Sequence, residues 1–135
     1  MAETIADRLA ALNIELPAPA AAAANYIPAK RTGNLLVVSG QLPMAGGALR
    51  YRGKLGEGVG LEEGQAAAKL CAINILAQIN AVCGDLEQVA ACVRLGGFVA
   101  NRSRASGPTS GRSSSMVWTA TSRPRWRSCG CSPSS

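Results

Sequence analysis

The feature that most constrains the fold is one long segment with helical periodicity, residues 61–83. Its apolar positions recur at the spacing of one helix face: Ala68, Ala72, Ile75, Leu76, Ile79, Val82 and Cys83. Glu62 and Glu63 lie in its first turn, where the helix dipole favours acidic side chains. Gly84 follows the last periodic residue and suits the left-handed position after a helix. The segment therefore predicts a helix over Leu61–Cys83.

Strand-like segments lie on both sides of this helix. Leu35–Ser39 is a short apolar run between Gly33 and Gly40, and Gln88–Ala100 alternates, with Arg94 opposite an apolar face. That apolar face comprises Val89, Ala91, Val93, Leu95 and Val99. The prediction also includes a shorter amphipathic helix over residues 3–13, a turn over 43–47 and an edge strand over 49–51. The prolines around residues 20–24 favour an extended or loop path there. A crossover helix between strands predicts an α+β fold, in which the sheet carries its helices on one face.

The composition changes abruptly after Ala100. Residues 101–135 contain eleven Ser and six Arg but no Leu, Ile, Phe, Asp, Glu or Lys. Such a segment can bury little apolar surface, so we expect a domain over residues 1–100, a sheet incomplete at its C-terminal end and a disordered tail over 101–135. Out-of-phase reading of GC-rich codons for Leu, Val and Ala yields many of these residue types. A second hypothesis is therefore that the tail is translated out of frame.

The net charge of +6 does not belong to the predicted domain. All eight acidic residues and eight of the fourteen Lys and Arg lie before residue 101, so that part is neutral. The excess comes from Arg102, Arg104, Arg112, Arg123, Arg125 and Arg127. A neutral domain argues against nucleic acid as its partner.

Cysteine usage and the first residues predict a cytoplasmic location. Five cysteines are an odd number without the spacing of a disulfide framework, which is typical of a reduced compartment. Glu3 and Asp7 stand where a secretory signal needs a basic start and an apolar run. We also expect no membrane partner, because we find no apolar stretch that reaches the length of a membrane span.

Four stretches of the chain resemble the Rid/YjgF family, also labelled endoribonuclease L-PSP, in the subfamily with an N-terminal helix. They are "ADRLAALNIELP", "AANYIPAKRTGNLLVVSGQLP", "GVGLEEGQAAAKLCAINILAQI" and "GDLEQVAACVRLGGFVA", in register within residues 1–100, which make up about three quarters of the chain. The resemblance implies a chorismate-mutase-like α+β fold and a homotrimer with ligand clefts between subunits. It also implies hydrolysis of enamine and imine intermediates to a keto acid and ammonia, with no metal and no organic cofactor.

The resemblance assigns four substrate-binding positions: Tyr26, Ser39, Gly40 and Gln41. In the better-known branch of the family a late arginine holds the substrate carboxylate and a late glutamate positions the water. No residue after Ala100 matches these two, so no catalytic residue is assigned, and we expect both activity and trimer formation to be impaired. On the residues alone, Tyr26 either lines a pocket or is a half-buried strand tyrosine. Ser39 and Gly40 end a strand, where their backbone N–H groups can face a ligand; the alternative is an ordinary strand-to-turn exit.

The remaining candidate side chains favour structural interpretations. Lys30 and Arg31 flank a turn and are expected to be solvated, whereas Arg94 is a surface strand arginine or contacts a neighbouring subunit. Cys71 and Cys83 occupy helix positions where small apolar side chains pack. Cys129 and Cys131 make a weak metal signal in a chain without histidine, so we expect no metal site.

Three functions therefore stay open. The first is an imine or enamine deaminase that acts on a small imino or keto acid, and the second is a non-catalytic ligand-binding or protein-protecting oligomer of the same fold. The third is RNA binding or cleavage, which follows the older family label and the basic tail.

Overall fold

The computed structural model describes residues 3–19 and 26–102, and the backbone of residues 115–122. The elements, in chain order, are α1 (Ile5–Ala11), β1 (Ala29–Thr32), β2 (Leu35–Gln41), β3 (Met44–Ala45), β4 (Ala48–Leu49), β5 (Lys54–Leu55), β6 (Gly58–Val59), α2 (Leu61–Cys83), a 3-10 turn (Leu86–Gln88), β7 (Val89–Phe98) and β8 (Ser115–Ser122). The expectations for residues 20–24, for the tail arginines beyond Arg102 and for Cys129 and Cys131 lie outside the described residues.

The main sheet has four antiparallel strands in the order β1-β2-β8-β7. Its register places the backbone of Trp118 between Val38 on β2 and Leu95 on β7. Two short pairs, β3 with β4 and β5 with β6, stand apart from this sheet. The α+β class of the prediction is confirmed, because α2 packs against β2 and the apolar residues of α1 join the same core.

The prediction that the sheet gains no strand after Ala100 is wrong. Strand β8 lies between β2 and β7, so the tail supplies an interior strand of the sheet. The prediction weighed the missing large aliphatic residues and overlooked the alternating run around Val117, Thr119 and Thr121. Residues branched at the β-carbon favour extended backbone even in a segment without leucine or isoleucine.

Helix α2 begins and ends where the sequence predicts. At its start the backbone N–H of Gly60 donates to Oε2 of Glu63 (2.8 Å), which satisfies a group that the helix itself leaves unpaired. At its end Gly84 adopts a left-handed conformation with φ of +76° and donates its N–H to the Asn80 carbonyl (2.7 Å). The glycine has no Cβ to clash in this conformation, so the helix stops there.

The core lies between α2 and the sheet. Its buried cluster comprises Leu36, Val38, Ile75, Ile79, Cys83 and Leu86. Partly buried side chains close its margins: Ile5, Leu9, Leu16, Ala29, Leu76 and Val89. The cluster joins both helices to β2, which fixes the strand that carries three of the four predicted site residues.

The first helix is shorter than predicted and is held at its N-terminal end. Thr4 caps it in a reciprocal arrangement, because its hydroxyl accepts from the N–H of Asp7 while the Asp7 carboxylate accepts from the N–H of Thr4. The N–H of Ile5 donates to Oε1 of Glu87, which ties α1 to the 3-10 turn. Beyond Leu12 the chain leaves the helix, and Asn13 adopts a positive φ of 52°.

By length and composition α2 is able to cross a bilayer, since an 18-residue window in it has a mean hydropathy of 1.5. This corrects the expectation that no apolar stretch reaches that length. Core helices of soluble proteins meet the same criterion, and eight residues of α2 are buried within this chain. Packing against the sheet is therefore a sufficient explanation of the apolar character of α2.

Candidate ligand-binding site

Ser39 and Gly40 lie at an irregularity in the sheet. The register between β2 and β8 shifts between Val38 and Gln41, so these two residues fall outside regular pairing. Strand β2 was predicted to end at Ser39, but it continues to Gln41. A shift of this kind bends the strand and redirects the side chains at the irregularity, and such features are frequent beside functional sites.

Both hydrogen-bond donors of Ser39 are engaged within the protein. Its backbone N–H donates to the Pro28 carbonyl (2.8 Å), and its hydroxyl donates to the Ile27 carbonyl (2.6 Å). The expectation that the Ser39 N–H faces a ligand is therefore wrong. The Ser39 oxygen keeps its lone pairs, however, because a hydroxyl that donates once can still accept. The hydroxyl oxygen of Ser39 can therefore act as a hydrogen-bond acceptor toward a ligand or a water molecule.

Gln41 supports this arrangement from inside the protein. The residue is buried, with 6% of its surface exposed, and its Nε2 donates to the Ser39 carbonyl (3.2 Å). A buried polar side chain must find hydrogen-bond partners to offset its desolvation. Gln41 therefore helps to hold the irregular backbone in place.

Tyr26 belongs to the segment before β1 that is hydrogen-bonded to Ser39. It comes directly before Ile27, whose carbonyl accepts the Ser39 hydroxyl bond. Tyr26 is 41% exposed and lies outside the strands, which removes the interpretation as a half-buried strand tyrosine. The structure thus groups Ser39, Gly40 and Gln41 at the end of β2, and Ser39 bonds to the residue that follows Tyr26.

The sequence analysis missed Asn74, which fixes the chain that leaves β2. Asn74 lies on α2, and its Nδ2 donates to the carbonyls of Leu42 (2.9 Å) and Met44 (3.1 Å). The residue is 5% exposed, and Gln78, one turn further along α2, is buried to the same extent. The available signal was a pair of amide side chains, four residues apart, inside an otherwise apolar helix face.

The other candidate side chains lie away from this region or within the core. Lys30, Arg31 and Arg94 are exposed, and Nε of Arg31 donates to the Gly33 carbonyl (3.2 Å). Cys71 and Cys83 are buried, which confirms the packing interpretation for both. Burial raises the pKa of the Cys71 thiol to about 11, because desolvation disfavours the thiolate.

The described residues contain no group of three or more His, Cys, Asp or Glu side chains placed to hold a metal ion. Within that part of the chain, the groups at the candidate site are a phenol, a hydroxyl, an amide and backbone atoms. Such groups can orient a small polar molecule by hydrogen bonds.

Comparison with known proteins assigns the chain to a family. The sequence profile described as "YjgF/chorismate_mutase-like, putative endoribonuclease" matches residues 6–109. "Protein TCP17" of Trypanosoma cruzi is 44% identical over 97 residues, which are 70% of this chain and 59% of that protein. The match thus spans less than two thirds of that relative's length.

Two solved structures share the fold. Atu1372, a protein "with unknown function" from Agrobacterium tumefaciens, superposes with a TM-score of 0.71 at 30% identity, over 86% of this chain and 91% of that one. A "putative endoribonuclease" from Shewanella oneidensis MR-1 superposes with a TM-score of 0.78 at 28% identity, over 87% of this chain and 99% of that one. Because the family profile spans most of the sequence and the fold agrees, the chain belongs to the YjgF/chorismate mutase-like family.

Proposed function

We propose that the protein is a cytoplasmic hydrolase that converts 2-imino acids, formed from reactive enamines, into 2-keto acids and ammonia. The proposal is carried by family membership together with the position of Ser39 and Gly40 at the irregularity of β2, where Ser39 bonds to the residue that follows Tyr26. It needs no redox step, so side chains that orient a polar substrate and a water molecule are sufficient.

The reaction adds one water to the C=N bond. The water oxygen bonds to the imine carbon while the nitrogen takes a proton, which gives a tetrahedral carbinolamine. The hydroxyl proton then moves to the nitrogen, the C–N bond breaks, and the C=O bond forms. The products are a 2-keto acid and ammonia, and every atom of imine and water is accounted for.

Ser39 suits one part of this chemistry. Because its hydroxyl proton is committed to the Ile27 carbonyl, its oxygen can accept either from the imine N–H or from the attacking water. Tyr26 lies at the surface of the same region and can donate from its phenol. We assign Ser39 and Tyr26 as substrate-orienting residues and Gln41 as a positioning residue that acts through Ser39.

The activity proposed here is slow, because residues 101–135 contain no counterpart of the carboxylate-binding arginine and the water-positioning glutamate of the family. Removing one member of a buried charge pair typically costs ~2–5 kcal/mol. If that loss falls on the transition state, the rate drops by roughly one and a half to three and a half powers of ten. We expect kcat/KM to be lower than that of an intact family member by this range.

The assembly proposed here is a homotrimer. Strand β7 exposes large apolar side chains in the single chain, namely Val93 and Leu95. Exposed apolar side chains grouped on one strand are typical of an interface. The expectation of impaired assembly depended on a sheet without late strands, and β8 occupies that place in the sheet. Sedimentation equilibrium is expected to give three times the chain mass; a monomer would contradict the proposal.

The decisive experiment measures ammonia release from a freshly generated 2-imino acid. Ser39→Ala and Tyr26→Phe should each lower the rate by roughly threefold to tenfold, the value of one hydrogen bond. Thr32→Ala is the matched control, because Thr32 is an exposed hydroxyl on β1. Release at the uncatalysed rate by the full chain, or equal effects of all three substitutions, would refute the proposed deaminase.

A second candidate function rests on the description shared by the family and its Shewanella oneidensis relative, which names an endoribonuclease. Incubation with single-stranded RNA tests it directly. Cleavage of RNA without ammonia release would favour this function, although residues 1–100 carry no net positive charge to attract a phosphate backbone.

A further inference from the structure

A cavity of about 600 Å³ lies beside the first turns of α2. Its walls come from the segment over residues 49–59, from the N-terminal half of α2 and from the end of β7. None of Tyr26, Ser39, Gly40 and Gln41 lines it. A volume of this size falls within the range of small-molecule sites.

The cavity is apolar inside and basic at its rim. Its lining includes Leu55, Val59 and Phe98, with the buried thiol of Cys71 at the wall that α2 supplies. Arg52 and Lys54 are exposed and also line it. Lining of this kind, apolar with few polar groups, is the usual composition of a ligand pocket.

The charges around the rim favour an anion. Three carboxylates belong to neighbouring sequence, Glu57, Glu62 and Glu63, yet none of them is among the described residues that line the cavity. Glu63 is moreover engaged with the N–H of Gly60. The two cations therefore face the cavity without an acidic side chain in its lining.

Hydrogen bonds and close packing fasten the walls of the cavity to one another. The N–H of Leu55 donates to the Ala100 carbonyl (2.9 Å), and the N–H of Arg102 donates back to the Leu55 carbonyl (3.0 Å). Leu55 also packs so closely on Gly64 that a Cβ there would lie 2.5 Å from Cδ2 of Leu55. The loop is thus anchored both to the segment after β7 and to α2.

We propose that this cavity is a second ligand site, which binds a small carboxylate with an apolar body. The apolar part lies against Leu55, Val59 and Phe98, and the carboxylate lies between Arg52 and Lys54. Guanidinium and ammonium groups form charge-assisted hydrogen bonds with carboxylates, and the apolar wall gains from burying hydrocarbon. The site is independent of the proposed deaminase reaction, because it uses none of the residues assigned to that reaction.

Octanoate and its neutral counterpart octanamide are suitable probes for the full chain. In isothermal titration calorimetry octanoate should bind more tightly than octanamide. The double variant Arg52→Gln/Lys54→Gln should weaken octanoate binding by about fivefold and leave octanamide binding unchanged, since paired surface charges contribute this much. Lys69→Gln is the matched control, because Lys69 is an exposed cation of α2 outside the cavity lining.

A second pair of variants tests the apolar part. Ala68 lines the cavity and Ala72 does not, although both lie on α2. Ala68→Leu should weaken binding of both probes, whereas Ala72→Leu should leave both unchanged. Amide shifts on octanoate addition should concentrate at Gly53, Gly64 and Gly97 and spare Gly40.

Three results would overturn the proposal: equal binding of octanoate and octanamide, equal loss in the rim variant and in Lys69→Gln, or shifts centred on Gly40. Absence of binding by the full chain would overturn it as well. Ammonia release by the rim variant should equal that of the unmodified protein, so failure of the second site and failure of the deaminase are distinguishable.

Discussion

Asn74 is a polar residue in the apolar face of α2, and its two hydrogen bonds hold the chain after β2. Asn74→Leu keeps the volume but leaves the Leu42 and Met44 carbonyls without this donor. We expect the substitution to lower the free energy of unfolding by ~1–3 kcal/mol, which is the cost of leaving buried polar groups unpaired. Urea denaturation measures it, and Asn80→Leu, on the same helix but less buried, is the control. An equal effect of the two substitutions would contradict this role for Asn74.

The cysteines differ in exposure and should differ in reactivity. The thiolate is the reactive form, and burial raises the pKa of the Cys71 thiol to about 11, so Cys71 is protonated at pH 8. Cys92 is exposed. Iodoacetamide at pH 8 should therefore alkylate Cys92 in the native protein, whereas Cys71 and Cys83 should react only in urea. Peptide mass mapping gives the order in which the cysteines are alkylated. Early alkylation of Cys71 would show that the part of the cavity wall containing Cys71 opens to solvent.

The same raised pKa has a consequence for stability at alkaline pH. In the unfolded chain the Cys71 thiol ionises near its ordinary value of 9.0, whereas in the folded chain it stays protonated up to about 11. The stability that this protonated thiol contributes is complete below pH 9 and is lost as the pH rises toward 11. Cys71→Ala should flatten that part of the pH profile of unfolding.

Individual residues were predictable where one property decided the outcome. Cys71 and Cys83 are small and lie at apolar helix positions, so their burial followed from periodicity. The engagement of the Ser39 N–H with Pro28 did not follow, because it depends on how the chain before β1 crosses β2. Asn74 was missed for the same reason, since its partners lie some thirty residues away in the sequence.

At the scale of elements, α2 shows the strength of local signals. Its apolar spacing, the acidic first turn and Gly84 all indicate the same boundaries, and the observed helix spans them. Strand β7 was also placed within two residues at each end, because alternation is a local property. The short pairing of β3 with β4 was not predicted, since it depends on a turn at Gly46 and Gly47, both with positive φ.

Gly84 offers a direct test of the helix boundary. Its φ of +76° lies in the left-handed region, where an added Cβ is strained. Gly84→Ala should therefore cost ~1 kcal/mol of unfolding free energy. Gly97→Ala is the control, because Gly97 has no positive φ and a Cβ there meets nothing within 4 Å. Thermal denaturation should lower Tm only for the first variant, and unchanged stability of Gly84→Ala would place the helix end elsewhere.

At the scale of the whole molecule, the α+β class was predictable because it needs only the order of helix and strand patterns. The position of β8 was not predictable from composition. A segment without leucine or isoleucine buries little by itself, but between two existing strands its backbone completes two ladders of hydrogen bonds. Pairing partners at long sequence separation decided this outcome.

Removing β8 tests that interpretation. A chain that ends at Arg102 leaves β2 and β7 without the strand that joins them, so two sheet edges become unpaired. We expect the shortened chain to lose its cooperative thermal transition and to form polydisperse aggregates in sedimentation, while the full chain does neither. An unchanged Tm in the shortened chain would show that the tail is dispensable, as its composition first indicated.

The place of β8 also bears on when the protein can fold during its synthesis. A ribosome delivers β2 and β7 first, yet Leu35 and Ala91 both pair with Thr121, which is synthesised after both strands. Until that residue leaves the exit tunnel, the nascent chain has both helices and two unpaired strand edges but no finished sheet. Closing so large a loop is slow. Until it closes, the unpaired edges of β2 and β7 can pair with other chains. Any change that delays the emergence of residues 115–122 would therefore lengthen the interval in which the edges of β2 and β7 stay unpaired.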